Sequence, residues 1–233
     1  MSDNLRNSIE NEIDKALGMT NSRKSLSEAY VIEPKKFELK TELLGGRTKR
    51  ARQEEFETGT KSVNEISAEL DTADRHDVNE YHSHFRNLKL DEAYNASLSV
   101  LRAAHFKNIS SLASIIAADS ISFMRLERDF ASFDEWQRDF IACGCASRSG
   151  FVITAYNITL KRYQNYIVDN SLAGMPMGAV YVIVLDVSEG AYYRDYANDK
   201  KTYISAMMKE FDWEEIETRV KRAERVARVY DAK

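Results

Sequence analysis

Asp186 ends an apolar, β-branched run, AVYVIVLD, and is followed by Glu189 and by tyrosines at 192, 193 and 196. A carboxylate delivered by a buried strand can ligate a redox metal when several imidazoles or further carboxylates converge on it. In the following stretch, VSEGAYYRDYANDKKTYI, the places where a second ligand could stand hold Ser188 and Gly190. The four histidines are scattered. His82 and His84 are two apart in a polar stretch, a spacing that does not share a helix face, so they read as loop histidines. His105 falls on the apolar spacing of a helix. Cys143 and Cys145 are too close in sequence for ordinary disulfide geometry, and no second pair completes a tetrahedral zinc set. They read as small buried residues at a helix end, in a reducing compartment. Ser188 has no base beside it, KRAERVAR reads as a solvated helix face, and no nucleophile elbow, P-loop or dinucleotide fingerprint occurs.

The elements that must position Asp186 follow from composition and period. In 233 residues there are only 9 Gly and 2 Pro, which favours a helix-rich protein. Charge is balanced near neutrality, net −4, so no basic face for nucleic acid is expected. No run approaches the roughly 18 apolar residues of a membrane span. The start, MSDNLRNSIENEIDK, has neither an apolar core nor the acid-poor character of a mitochondrial presequence, so a soluble chain that keeps its N-terminus is expected. Residues 1–36 read as an arm whose Leu5, Ile9, Ile13 and Leu17 form a narrow apolar stripe on a short helix, suited to docking on a neighbour.

Residues 37–110 read as a helical hairpin domain. Its first helix carries Leu39, Leu43, Leu44, Ala51, Phe56, Val63, Ile66 and Leu70, with a kink or break at Gly45-Gly46. Its second carries Leu90, Tyr94, Leu98, Leu101 and His105, after a polar loop. Residues 111–233 read as an α/β C-terminal domain. Ser132 and Glu135 open a helix in the capping-box arrangement. Three strands follow in FVITAYNITL, KRYQNYIVD and AVYVIVLDV, the last expected to be the best buried. Asp212 and Glu215 open a final helix that turns Ile216, Val220, Ala223, Ala227 and Tyr230 inward. Helices segregated from a small three-stranded antiparallel meander make the class α+β.

This order and the closing motif resemble the iron/manganese superoxide dismutases. Their strand ends D-x-W-E-H-A-Y-Y, followed by x-D-Y-x-N-x-R-x-x-Y-[IL]. Asp186, Glu189, Ala191, Tyr192, Tyr193, Asp195, Tyr196, Asn198 and Tyr203 match, with Trp213 at the expected distance. FDEWQRDF and Ser149 to Phe151 are similar to further family segments, so the resemblance covers about residues 37–230. It implies a metal held by three histidines and one aspartate. At the positions it aligns, Asp186 stands alone, and Arg52, Arg102 and Gly190 occupy the three histidine places, with Thr60 at a tyrosine place. A guanidinium has no lone pair to offer, so the expectation is that Arg52 and Arg102 replace the cation by pairing with a vestigial Asp186.

The resemblance extends to dismutase-like structural proteins in the virions of large tailed phages, including phages of cyanobacteria, in KKFELKTELL, MRLERDF, FDEWQRDFIAC and KTYISAMMKE. The resulting expectation is a structural protein that is not an enzyme and holds no cofactor. It would be made in the host cytoplasm and bound to other virion subunits, without membrane or direct nucleic-acid contact. Glu189 and Tyr193, with Leu5, Ile9 and Ile13, are the expected oligomer or structural-contact residues. The family dimer pairs that glutamate with the motif histidine, here Gly190, so a family-like dimer is not implied. Alternatives are a mitochondrial-ribosome-type subunit, a metal-dependent dismutase built on Asp186 and His105 with His82 or His84, and a small-anion site clamped by Arg52 and Arg102.

Overall fold

A computed structural model of the chain describes residues 32–109, 114–169 and 177–231. The arm stripe at Leu5, Ile9, Ile13 and Leu17 lies outside the described residues. Among those described, α1 (Gly46–Thr72) and α2 (His84–Asn108) form the antiparallel hairpin that the polar loop implies. Then come α3 (Ile121–Phe130), α4 (Phe133–Ala146), β1 (Gly150–Asn157), β2 (Arg162–Asp169), β3 (Ala179–Asp186), α5 (Glu189–Tyr196), α6 (Lys200–Lys209) and α7 (Trp213–Asp231).

Local chemistry sets many of these boundaries. Ser83, Ser120, Ser132 and Asp199 each accept a backbone N–H from the residue three ahead, which satisfies a donor that the first helical turn leaves open. Asp212 Oδ1 does the same for Glu214 and Glu215 at the start of α7. The Ser132 cap is therefore formed as expected, while Glu135 turns to Arg138.

The sheet is antiparallel in the order β2-β1-β3, with Phe151 opposite both Val168 and Asp186. Gly150, at φ +147°, starts β1 where an added Cβ would run into the Val168 carbonyl oxygen, so only glycine fits there. Both faces of the sheet are covered. Phe151, Ile153, Ala155, Val168 and Val184 pack with Leu101 and Ala104 of α2. Val152, Val182, Ile183 and Leu185 pack into the larger core with Trp136, Phe140, Tyr203, Ile204 and Phe211. This two-sided cover explains the continuous apolar runs. The central strand β1, rather than β3, is the most buried, because it has a neighbour on each edge.

Four further expectations need correction. Residues 37–45 are not helical: α1 begins only at Gly46. The non-helical chain there, with bends at residues 42–44, lets Leu44 enter the core and Leu39 and Leu43 pack on it. Gly45 N donates to Asp195 Oδ2 at 3.0 Å, and Tyr196 Oη donates to the Leu43 carbonyl at 3.1 Å, which together hold the segment against α5. In α2, Leu88 rather than the exposed Leu90 faces inward, and Tyr230 of α7 is exposed. Cys143 is half-buried and Cys145 exposed, so they are not a buried pair.

Candidate metal centre

Asp186 closes β3 at 2% exposure, and its surroundings are set by four elements. β3 and α5 meet at Val187-Ser188, where the Ser188 backbone N–H and hydroxyl both donate to Asp186 Oδ1. That use of the hydroxyl explains why Ser188, the residue before α5, makes no side-chain cap of its own. From α6, Tyr203 Oη donates to the Asp186 carbonyl oxygen at 2.8 Å. From α2, His105 Nδ1 accepts the Asp186 backbone N–H at 3.5 Å.

The fourth element is α1. Its buried stripe is Thr48, Arg52, Phe56, Thr60 and Val63, so a guanidinium sits on the core-facing side of an otherwise mostly apolar or hydroxyl-bearing row. Arg52 Nη1 stands 3.9 Å from Asp186 Oδ2 and donates to Ser188 Oγ at 3.2 Å. Its Nη2 donates to Glu55. The guanidinium also fills the space beside Gly190, where an added Cβ would collide with Arg52 Nη1. Gly190 thus leaves room for the arginine side chain, and the two residues complement each other across 138 positions.

Arg102 does not pair with Asp186 as expected from sequence. It reaches Glu55 instead, Nη2 to Oε2 at 2.8 Å and Nη1 to the carbonyl at 3.1 Å. The charges therefore alternate as Asp186, Arg52, Glu55, Arg102. Burial, then the like charge of Arg52, lowers the Arg102 pKa from its usual value, while Asp186 and Glu55 oppose that shift. Glu55 was not anticipated from sequence. The available signal was its position three residues after Arg52, on a neighbouring part of the same helix face. Thr60, at the tyrosine place, is fully buried and donates back to the Phe56 carbonyl. Glu189 and Tyr193 lie on the exposed side of α5. Leu5, Ile9 and Ile13 are outside the described residues.

Whether a metal fits is decided by the donor set. Iron or manganese in an N/O site needs several converging neutral or anionic donors. Among the described residues, no group of three or more His, Cys, Asp or Glu side chains could hold an ion. Around Asp186 only His105 could add a nitrogen donor, and a guanidinium occupies the neighbouring space. His82 and His84 are not brought in, because α2 places His84 roughly 30 Å along the helix from His105. These residues do not fit a four-donor metal centre.

His105 is held neutral. Complete burial lowers its pKa from 6.5 to about 4, with Asp186 opposing and Arg52 adding to the shift. A lowered pKa in the folded state means that the unfolded chain binds the proton first. Stability from this group is therefore present above pH 6.5 and is lost as pH falls from 6.5 towards 4, by up to about 3 kcal/mol. Urea titrations across that range should show this loss, and His105→Gln should flatten it. An unchanged slope in the variant would assign the acid limb to other groups.

Comparison with known proteins shows what the chain is similar to. Residues 121–219 match the family described as iron/manganese superoxide dismutases, C-terminal domain. "Superoxide dismutase [Mn] 2" of Halobacterium salinarum is 34% identical over 40% of this chain and 46% of its own length. "Superoxide dismutase [Mn] 1" of the same organism is 28% identical over 57% of this chain and 66% of its own length. "Superoxide dismutase [Fe]" of Aquifex pyrophilus is 28% identical over 83% of this chain and 93% of its own length. The chain thus spans less than two thirds of the two halobacterial proteins and nearly all of the Aquifex one. These matches correct the expectation that the chain is not an enzyme: its matched relatives are enzymes by name, and no finding shows its site to be inactive.

Proposed function

We propose that this chain, which carries the C-terminal domain of the iron/manganese superoxide dismutases, uses the dismutase fold as a structural subunit of a tailed-phage virion. The observation that carries the reading is Arg52: a buried guanidinium beside Asp186 takes the volume that a ligand side chain at position 190 would need. A buried carboxylate needs a cation or full hydrogen bonding, and here protein groups supply both. The ion-pair chain would then hold α1, α2 and the β3–α5 corner together without a metal ion. Its partners would be neighbouring virion subunits, and Glu189 and Tyr193 on the exposed face of α5 are available for such contacts.

Two measurements test the proposal together. Purified protein should hold iron and manganese far below one ion per chain, and chemical cross-linking of native particles should place the chain among virion proteins. One firmly bound ion per chain, or a chain found only free in the host cytoplasm, would overturn it.

A second reading, a dismutase with unorthodox ligands, is favoured by one observation: His105 Nδ1 lies beside Asp186 in the same buried corner. It requires superoxide consumption that depends on iron or manganese and disappears in both Asp186→Asn and His105→Gln.

A further inference from the structure

A polar cavity of about 420 Å³ lies between α3 and α7 and shares no residue with the Asp186 network. Its lining is Arg125, Arg128, Tyr156, Glu224, Ala227 and Arg228. Two of the arginines are already fixed in place. Arg125 directs Nε and Nη2 at the two Glu224 oxygens, and Arg128 directs Nε and Nη2 at the two Asp129 oxygens, at 2.6 and 2.8 Å. Each fork leaves its Nη1 without a partner among the described residues. Arg228 turns only its Nε back, to the Glu224 carbonyl at 3.4 Å. Three guanidiniums against two carboxylates leave one net positive charge.

Beneath them lies Tyr163, fully buried, with its ring 5.0 Å from that of Tyr156. Its hydroxyl has no hydrogen-bond partner. The groups that act on it electrostatically are Glu224, Tyr156, Arg125 and Arg128, all four of them in the cavity wall. Tyr163 does not itself line the cavity, so its closed-off hydroxyl backs the wall without reaching an occupant.

We infer that this cavity is a binding site for a phosphate group, which accepts from the free edges of Arg125, Arg128 and Arg228. The net charge favours an anion. Donors arriving from three guanidiniums suit a tetrahedral group with several terminal oxygens better than a two-oxygen carboxylate. Because Glu224 and Asp129 pre-set two of the arginines, little side-chain entropy remains to be lost on binding. The site stands independently of the reading given for Asp186.

The test is thermal melting of the full chain in inorganic phosphate titrated against chloride at constant ionic strength. A saturable rise in Tm is expected. Arg228→Gln, at an exposed position, should weaken phosphate about tenfold without changing the melt in chloride. Tyr163→Phe should melt at the same or a higher temperature in chloride, because it removes the unpartnered hydroxyl, and should bind phosphate as the wild type does. No saturable rise in the wild type would overturn the inference, as would an equal rise in Arg228→Gln. A rise as large with acetate would also overturn it, and would assign the site to carboxylates.

Discussion

Arg52→Leu should destabilise the protein by about 3–5 kcal/mol, the range for removing one partner of a buried ion pair. The size follows from what is left behind. Arg52 and Asp186 side chains are 5% and 3% exposed, so water cannot replace the lost partner. Asp186 would keep the two Ser188 donors to Oδ1, but Oδ2 would lose its cation. Ser188 Oγ and Glu55 would each lose a donor as well. The measurement is the urea midpoint with its slope. A fall in midpoint at constant slope reports stability, whereas a changed slope reports altered compactness.

Asp186→Asn provides the control, since the amide oxygen can still accept from Ser188 while the charge is gone. In that background Arg52→Leu should cost about 1–3 kcal/mol less. Equal costs in both backgrounds would mean that Arg52 acts by packing alone. Gly190→Ala should reveal the spatial side of the same relation. Its methyl group displaces the guanidinium, costing about 1–3 kcal/mol, and Arg52→Ala in the same chain should remove that penalty.

Arg219→Met is expected to be comparably severe, at about 3–5 kcal/mol, although it lies away from Asp186. Arg219 is 4% exposed on α7 and ties three elements together. Its Nη1 donates to Asn108 Oδ1 at 2.6 Å and its Nη2 to the Ala104 carbonyl at 3.0 Å, so it fastens α7 to the last turns of α2. Its Nε donates to Glu215 at 2.9 Å. Asn108 in turn donates to the Val184 carbonyl at 2.8 Å, and its own carbonyl accepts from Asp212 N–H at 2.7 Å. Methionine restores the volume of the stem but none of the donors, leaving several buried acceptors unmatched. Thermal melting with far-UV circular dichroism checks this. A loss below about 1 kcal/mol would mean that water reaches those acceptors.

Much of the fold was legible because its signals are local. The serine and aspartate caps, the change from helical to strand period after Gly150, and the continuous apolar run before Asp186 each depend on residues a few positions apart. The misreadings arose where distant residues overrode a local pattern. Leu39, Leu43 and Leu44 have helical spacing, but the chain there is non-helical and is tied at Leu43 and Gly45 to Tyr196 and Asp195, more than 140 residues away. Leu90 also fits the helical row, yet the turn of α2 against α1 and the sheet selects Leu88. Arg219 was hidden because the apolar row of α7 directs attention to Ile216 and Val220, between which it is buried.

By itself, the sequence determined the α+β class, the three strands and the position of Asp186 at the end of the last one. Residue types alone also determined that Arg52, Arg102 and Gly190 cannot supply imidazoles, since the donor capacity of a side chain is independent of the fold. Only the tertiary structure decided how these groups are used. Arg52 lies beside Asp186, Arg102 turns to Glu55, and His105 is desolvated to the point of neutrality. The reason is that partner choice and burial depend on where α1, α2 and the β3–α5 corner converge, and that convergence joins residues more than 130 positions apart.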